Sequence, residues 1–196
     1  MPRSFSDHEK TSIRASLIQS AEREFGTVGL KRASVELLAK SVGISKGAFY
    51  AFFPSKEALY LAVLAAQIPG VQVRVLSHLE DRDSAPADVI ERFLCALFDE
   101  YETNLVLRRL VTHPDELTSV RRAAGPDDKA LKIDMGLTPL RQFFQSVDGL
   151  RVDPDEAVNV VVLATHAVIN RIALESASGS DSQNTLALVL ANGLFE

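Results

Sequence analysis

Ser34, Ser45, Lys46, Gly47, Ala48, Tyr50 and Lys56 fall within one short basic stretch near the start of the chain. Their types suit anion recognition. Ser34 and Ser45 stand where helices should begin, and the unpaired amides and positive dipole end of a helix attract a phosphate oxygen. Lys46 and Lys56 add point charges, while Gly47 and Ala48 remove bulk so that backbone can approach a ligand surface closely. Nowhere else does the spacing suggest a reaction. Residues 57–196 contain no Gly-rich phosphate loop, no His-Glu-x-x-His and no Cys-x-x-Cys. His8, His78, His113 and His166 are scattered beyond ligand spacing, and the single Cys95 excludes an intramolecular disulfide or a Cys-based zinc cluster. The expectation is a protein with no metal, no cofactor and no enzymatic activity. Cys95, flanked by Phe93-Leu94 and Ala96-Leu97-Phe98 with no basic neighbour, is expected to be buried and inert.

The elements that position these residues are helical. Apolar residues recur at threes and fours and no run of strict alternation appears, so the expected fold class is all-α. Ser6-Asp7-His8-Glu9 has capping-box spacing ahead of Ile13, Leu17, Ala21 and Phe25, which predicts a first helix over roughly residues 7–26. Ser34 caps a short helix from Val35 to Ser41, Val42-Gly43-Ile44 makes a turn, and Ser45 caps another short helix. Leu38, Val42, Ile44, Phe49 and Phe52 can converge to hold the second of these at a fixed angle, with Ala39 small at the crossing. A third start signal, Pro54-Ser55-Lys56-Glu57, opens a helix to Ile68, where Pro69 should kink or end it. A longer helix is expected from about Pro86 to Leu110, with loops at 77–85, 112–114, 125–128, 148–154 and 176–182.

Charge divides the chain. Overall it carries 21 Lys+Arg against 26 Asp+Glu, a net charge of −5, which spread evenly would keep it from nucleic acid and anionic membranes. Residues 1–56, however, hold 9 Lys+Arg and 5 Asp+Glu, and residues 57–196 hold 12 and 21, giving +4 and −9. The expected organisation is two domains with different partners, a basic one over 1–55 and an acidic helical one over 56–196. With no apolar leader, no stretch of uninterrupted apolar residues long enough to span a bilayer and one cysteine, the expectation is a cytoplasmic protein without a membrane partner.

Across residues 13–64 the sequence resembles the TetR family of one-component transcriptional regulators. The resemblance lies in Ala21 through Phe25 to Gly29, Ala33-Ser34-Val35, the run Val42-Gly43-Ile44-Ser45-Lys46-Gly47-Ala48-Phe49-Tyr50, and Phe53-Pro54-Ser55-Lys56-Glu57-Ala58-Leu59. It implies that the 45–51 helix enters the major groove with Lys46, Gly47, Ala48 and Tyr50 nearest the DNA. On that reading Ala48 can touch a thymine methyl, and Lys40 and Arg32 are either solvated or near phosphate. Phe49, Phe52 and Phe53 are expected in the core, with Tyr50 one step off their face. Where many members carry His or Tyr after the tyrosine, this chain has Ala51-Phe52, so a phosphate contact usual in the family is missing or supplied elsewhere.

In the acidic segment, Phe93, Phe98, Tyr101, Phe143 and Phe144 are candidates to line an effector pocket. Ala157–Leu174 is apolar at 13 of 18 positions, on nearly every face of a helix, and Leu186, Leu188, Val189, Leu190 and Leu194 form a stripe just after it. Two such helices meeting their copies would make a four-helix homodimer interface over about 154–194. Asn159, His166 and Asn170 share one face of the first helix, where they would cross-link the dimer, line the pocket or bond to backbone. The expected function is a repressor that binds a palindromic double-stranded DNA operator as a homodimer and is released by a small-molecule effector. The alternatives are an effector-independent activator or architectural DNA binder and, remotely, an all-α enzyme.

Overall fold

A computed structural model describes residues 5–124, 137–174 and 180–196. The fold is all-α, as the periodicity predicts. α1 (Asp7–Thr27) starts at the expected capping box, with the Ser6 hydroxyl accepting from the Glu9 amide and the Glu9 carboxylate accepting from the Ser6 amide at 2.8 Å. Its buried stripe is Leu17, Ala21 and Phe25. The chain then forms α2 (Gly29–Arg32), α3 (Val35–Ser41), α4 (Lys46–Phe52) and α5 (Lys56–Leu76). α2 has no counterpart in the sequence reading. Gly43, between α3 and α4, has φ +76° with open space where a Cβ would lie. The backbone conformation alone therefore calls for glycine.

α5 corrects one expectation: it runs through Pro69 to Leu76. Proline removes only its own bond to the carbonyl four residues back. Ala65 and Pro69 are both exposed, so the freed carbonyl faces water. Leu64 and Val71 are buried to either side and hold the helix. The helix expected over 86–110 is two, α6 (Pro86–Thr103) and α7 (Leu105–Thr112). Asn104 divides them, because its Oδ1 accepts from the amides of Val106 and Leu107 at 3.1 and 3.2 Å and so caps a new start. α8 (Pro114–Ala124), α9 (Leu137–Ser146), α10 (Pro154–Ala173) and α11 (Ser180–Leu194) complete the chain. Asp153 caps α10 through the Glu156 amide at 3.0 Å. The loop expected at 125–128 and most of that at 176–182 lie outside the described residues.

The packing groups the helices into two compact units, one of residues up to Ile68 together with 113–124, the other of Pro69–Thr112 with 137–174 and 180–196. The division thus falls inside α5, beyond the boundary drawn near residue 55, and α8 joins the N-terminal unit. In that unit Leu17, Phe25, Leu38, Phe49, Phe53, Tyr60 and Val120 form the core, with the Phe25 and Tyr60 rings 4.9 Å apart. In the second unit α6 packs on α11 and α10 on α9. Phe143 and Phe144 meet edge to face, and Phe144 packs on Phe195. The chain end is pinned there by the Arg151 and Glu196 amides, which donate to the Leu194 and Gly149 carbonyls at 2.9 Å each. α5 and α10 are apolar and long enough to span a bilayer by composition, with mean hydropathy 1.5 and 1.2. Each lays a buried row, Leu59, Tyr60 and Val63 or Val158, Val161 and Val168, into its own unit.

Candidate functional site

α4 is built so that one face is fixed and the other is open. Seven residues make a marginal helix on their own, and contacts at both ends hold this one. At its start the Ser45 hydroxyl accepts from the Ala48 amide at 3.1 Å. The Ser34 hydroxyl does the same for α3 through the Leu37 amide at 3.4 Å. Both serines are therefore caps, as their placement predicts. On the inner side Phe49 and Phe53 are fully buried, 6.2 Å apart between rings. At its end Arg14 of α1 donates to the Phe52 carbonyl at 2.9 Å and lays its guanidinium 4.2 Å from the centre of the Phe53 ring. Phe52 is half-buried beneath Phe5, at 5.9 Å. The sequence reading missed Arg14. The signal was its position, since 14, 17 and 21 lie on the face of α1 that packs inward.

The open face carries Lys46, Gly47 and Tyr50, all exposed, with Ala48 half-buried. Tyr50 is 50% exposed and meets Phe49 edge-on at 5.4 Å, so its ring is steadied by the core while its hydroxyl faces outward. Gly47 is the informative residue. It lies inside a helix, where glycine costs about 1 kcal/mol relative to alanine, yet an added Cβ would meet nothing closer than the Ser45 hydroxyl at 3.9 Å. Packing within this protein gives no reason for glycine there.

Lys56 stands apart from this face. Its ammonium donates to the carbonyls of Leu30, Lys31 and Ala33 at 2.8, 3.2 and 2.9 Å, which uses all three donors to cap the C-terminal end of α2. The phosphate contact expected of Lys56 thus gives way to a structural one. The other end of α2 is held by α8, where the Glu116 carboxylate, 2% exposed, accepts from the Leu30 amide at 3.2 Å. Beside it Lys31 pairs with Asp115. That hydrogen bond raises the Lys31 pKa and lowers that of Asp115. A four-residue helix is clamped at both ends by residues far along the chain.

Residues 17–63 match the family model of bacterial regulatory proteins of the tetR family. This segment, about a quarter of the chain, is similar to the TetR family. It is 35% identical over 83 residues to the uncharacterised helix-turn-helix regulator YuxN of Bacillus subtilis, a stretch that covers 42% of this chain and 28% of YuxN. The matched stretches span only 28, 30 and 45% of the first three curated relatives. Solved structures share the fold over nearly the whole length. A TetR-family regulator from Mesorhizobium loti superposes with a TM-score of 0.73 at 18% identity, covering 94% of this chain and 95% of its own. FadR of Bacillus subtilis, solved with stearoyl-CoA, gives 0.65 at 14% identity over 92 and 98%.

The second unit holds a cavity of about 200 Å³. Of the seven residues proposed for an effector, Phe93, Tyr101 and His166 line it, joined by Leu97, Leu137, Leu140, Val161, Val162, Thr165 and Ile169. Phe98, Phe143 and Phe144 are instead packed in the core, and Asn170 is an exposed residue outside the lining. Helical spacing showed that these aromatics point inward but not which of them border a void. Asn159, His166 and Asn170 do share a face, and in the single chain it is exposed rather than buried. Burial raises the pKa of Tyr101, so its hydroxyl keeps its proton. The Cys95 thiol, half-buried, is likewise pushed up by burial and then by Glu91 and Asp99, which disfavours the thiolate. Among the described residues no cluster of His, Cys, Asp and Glu could hold a metal.

Proposed function

We propose that the chain is a dimeric, cytoplasmic transcriptional repressor in which α4 reads the major groove of a palindromic operator and a small molecule in the second unit releases it. The observation that carries this reading is Gly47. An exposed glycine inside a helix, unexplained by its own protein and next to Lys46 and Tyr50, fits a surface against which another molecule must come close. Lys46 supplies phosphate charge, Ala48 and Tyr50 meet the groove, and the capped starts of α3 and α4 at Ser34 and Ser45 face phosphate. Lys56 belongs to the support of this surface.

Dimerisation accounts for the outer faces of α10 and α11, where Leu163 is 68% and Val189 61% exposed beside Leu188 and Asn159. Such apolar exposure suits a self-complementary interface. The two α4 helices of a dimer would then meet half-sites about 34–36 Å apart, or a multiple of that. An effector releases DNA only if it binds more tightly to a geometry that no longer matches this spacing. α5, which starts at Lys56 and ends among the core residues Val71 and Val75, is the element that would carry the change.

A gel-shift assay with the DNA that flanks the coding gene tests the reading. A palindromic fragment should be retained and random DNA released at the same salt. Equal affinity for both across salt concentrations would refute the operator assignment.

A further inference from the structure

The lining of the second unit's cavity specifies what it can hold. Its walls are hydrocarbon except at Tyr101, Thr165 and His166. The Thr165 hydroxyl already donates to the Val161 carbonyl at 2.8 Å. The Tyr101 hydroxyl, by contrast, has no hydrogen-bond partner among the described residues, although Tyr101 is half-buried. That hydroxyl is not among the buried orphaned atoms, so water reaches it, and a ligand oxygen can take the place of that water. Among the described residues the lining has no Lys, Arg, Asp or Glu. A carboxylate or phosphate entering there would give up hydration with only the His166 imidazole, among the described lining residues, able to answer its charge. Size narrows the class further. A cavity of about 150 Å³ accepts benzene, so about 200 Å³ accommodates about eight non-hydrogen atoms.

We infer that the ligand is an uncharged molecule built on a single ring, with one hydroxyl or carbonyl oxygen paired to the Tyr101 hydroxyl and its ring held between Phe93, Val161 and Ile169. The inference rests on the reading of this cavity as the effector site and adds the ligand's chemistry.

Titration calorimetry on the full chain, without DNA, tests it with p-cresol, toluene, benzoate and decanoate. p-Cresol should bind with a dissociation constant on the order of 0.1 mM, and toluene about 10-fold more weakly for want of the hydrogen bond. Benzoate and decanoate should bind more weakly than toluene. Tyr101→Phe should bring p-cresol to the level of toluene and leave toluene unchanged. Ile169→Trp, at a half-buried wall where the larger ring can be accommodated, should abolish binding of both while leaving the thermal midpoint of the ligand-free protein in place. Tighter binding of benzoate or decanoate than of p-cresol, or no binding of p-cresol at all, would overturn the inference. So would p-cresol affinity indifferent to both substitutions. Because no DNA is present, p-cresol that binds as expected but fails to release operator refutes the release step and leaves the ligand class standing. Release by benzoate, with the cavity indifferent to it, does the reverse.

Discussion

Lys46 and Lys56 are both basic residues beside the helix-turn-helix, and the structure gives them opposite tasks that one pair of variants separates. Lys56→Met keeps the aliphatic stem and removes the ammonium, leaving the carbonyls of Leu30 and Ala33, both in buried residues, without their donor. The third carbonyl, that of Lys31, is exposed and water replaces the loss there. At about 1 kcal/mol for each of the two buried acceptors, the variant should lose about 2 kcal/mol of stability. In a chain of this size that corresponds to a fall of roughly 4–8 °C in Tm. Its affinity for a random-sequence duplex, followed by fluorescence anisotropy against salt, should keep the wild-type slope, because no phosphate contact is lost. Lys46→Ala should behave the other way round, with Tm within about 1 °C of wild type and a slope shallower by about 0.9 per protomer. Unchanged Tm with a shallower slope for Lys56→Met would refute the clamp. It would return Lys56 to the DNA-facing surface.

Gly47→Ala should stabilise α4 by up to about 1 kcal/mol, since the new methyl has room and alanine is the better helix former; if it contacts DNA closely, the same variant weakens operator binding in a gel shift, and a gain in both would remove the argument from Gly47. Glu116→Ala, which takes away the acceptor for the Leu30 amide, should lower the chemical-denaturation midpoint by an amount equivalent to about 1–3 kcal/mol, and an unchanged midpoint would mean that α8 contributes nothing to α2. Asp81 accepts from the Ser84 hydroxyl and from the amides of Asp83 and Ser84 and pairs with Arg92, so its pKa is lowered in the folded chain. Its contribution is therefore fully present above the ordinary carboxylate pKa of about 4 and lost as pH falls below it. Asp81→Asn should accordingly be less stable than wild type at pH 7, with the gap narrowing progressively as pH falls below about 4, and a gap that does not narrow would show a different cause. Leu163→Glu, placed on the outer face of α10, should sediment as a monomer at micromolar concentration where the wild-type chain sediments as the proposed dimer, whereas a variant that still dimerises would move the interface elsewhere.

The features legible in the sequence were those set by local chemistry. Ser6, Ser34, Ser45 and Asp153 announced four helix starts because a short side-chain oxygen three residues before a free amide has one obvious use. The stripe Leu17, Ala21, Phe25 announced its buried face in the same way. Reading failed where two local signals competed or where partners were distant. Pro69 reads as a stop, but its lost bond falls on the solvent side of a helix anchored before and after. Asn104 divides what looks like one apolar run, because its amide oxygen offers two backbone donors a better acceptor than the helix would. Lys56 and Glu116 meet α2 from 23 to 86 residues away, and no spacing rule links such positions. The cavity was half legible: Phe93, Tyr101 and His166 line it while Phe98, Phe143 and Phe144 do not. Whether an inward aromatic meets a neighbour or a void depends on the shapes of several helices at once.

The double clamp on α2 also sets where this protein can be cut and rejoined. The N-terminal unit cut at residue 55 and joined to another chain would leave Lys56 and Glu116 behind, and with them both ends of the short helix that follows α1. The graftable module is discontinuous. It needs α5 as far as Ile68 and a second strip of chain bearing Asp115, Glu116 and Val120. Exchanging specificities between such proteins therefore means moving two segments together, or rewriting α2 so that it closes its own ends.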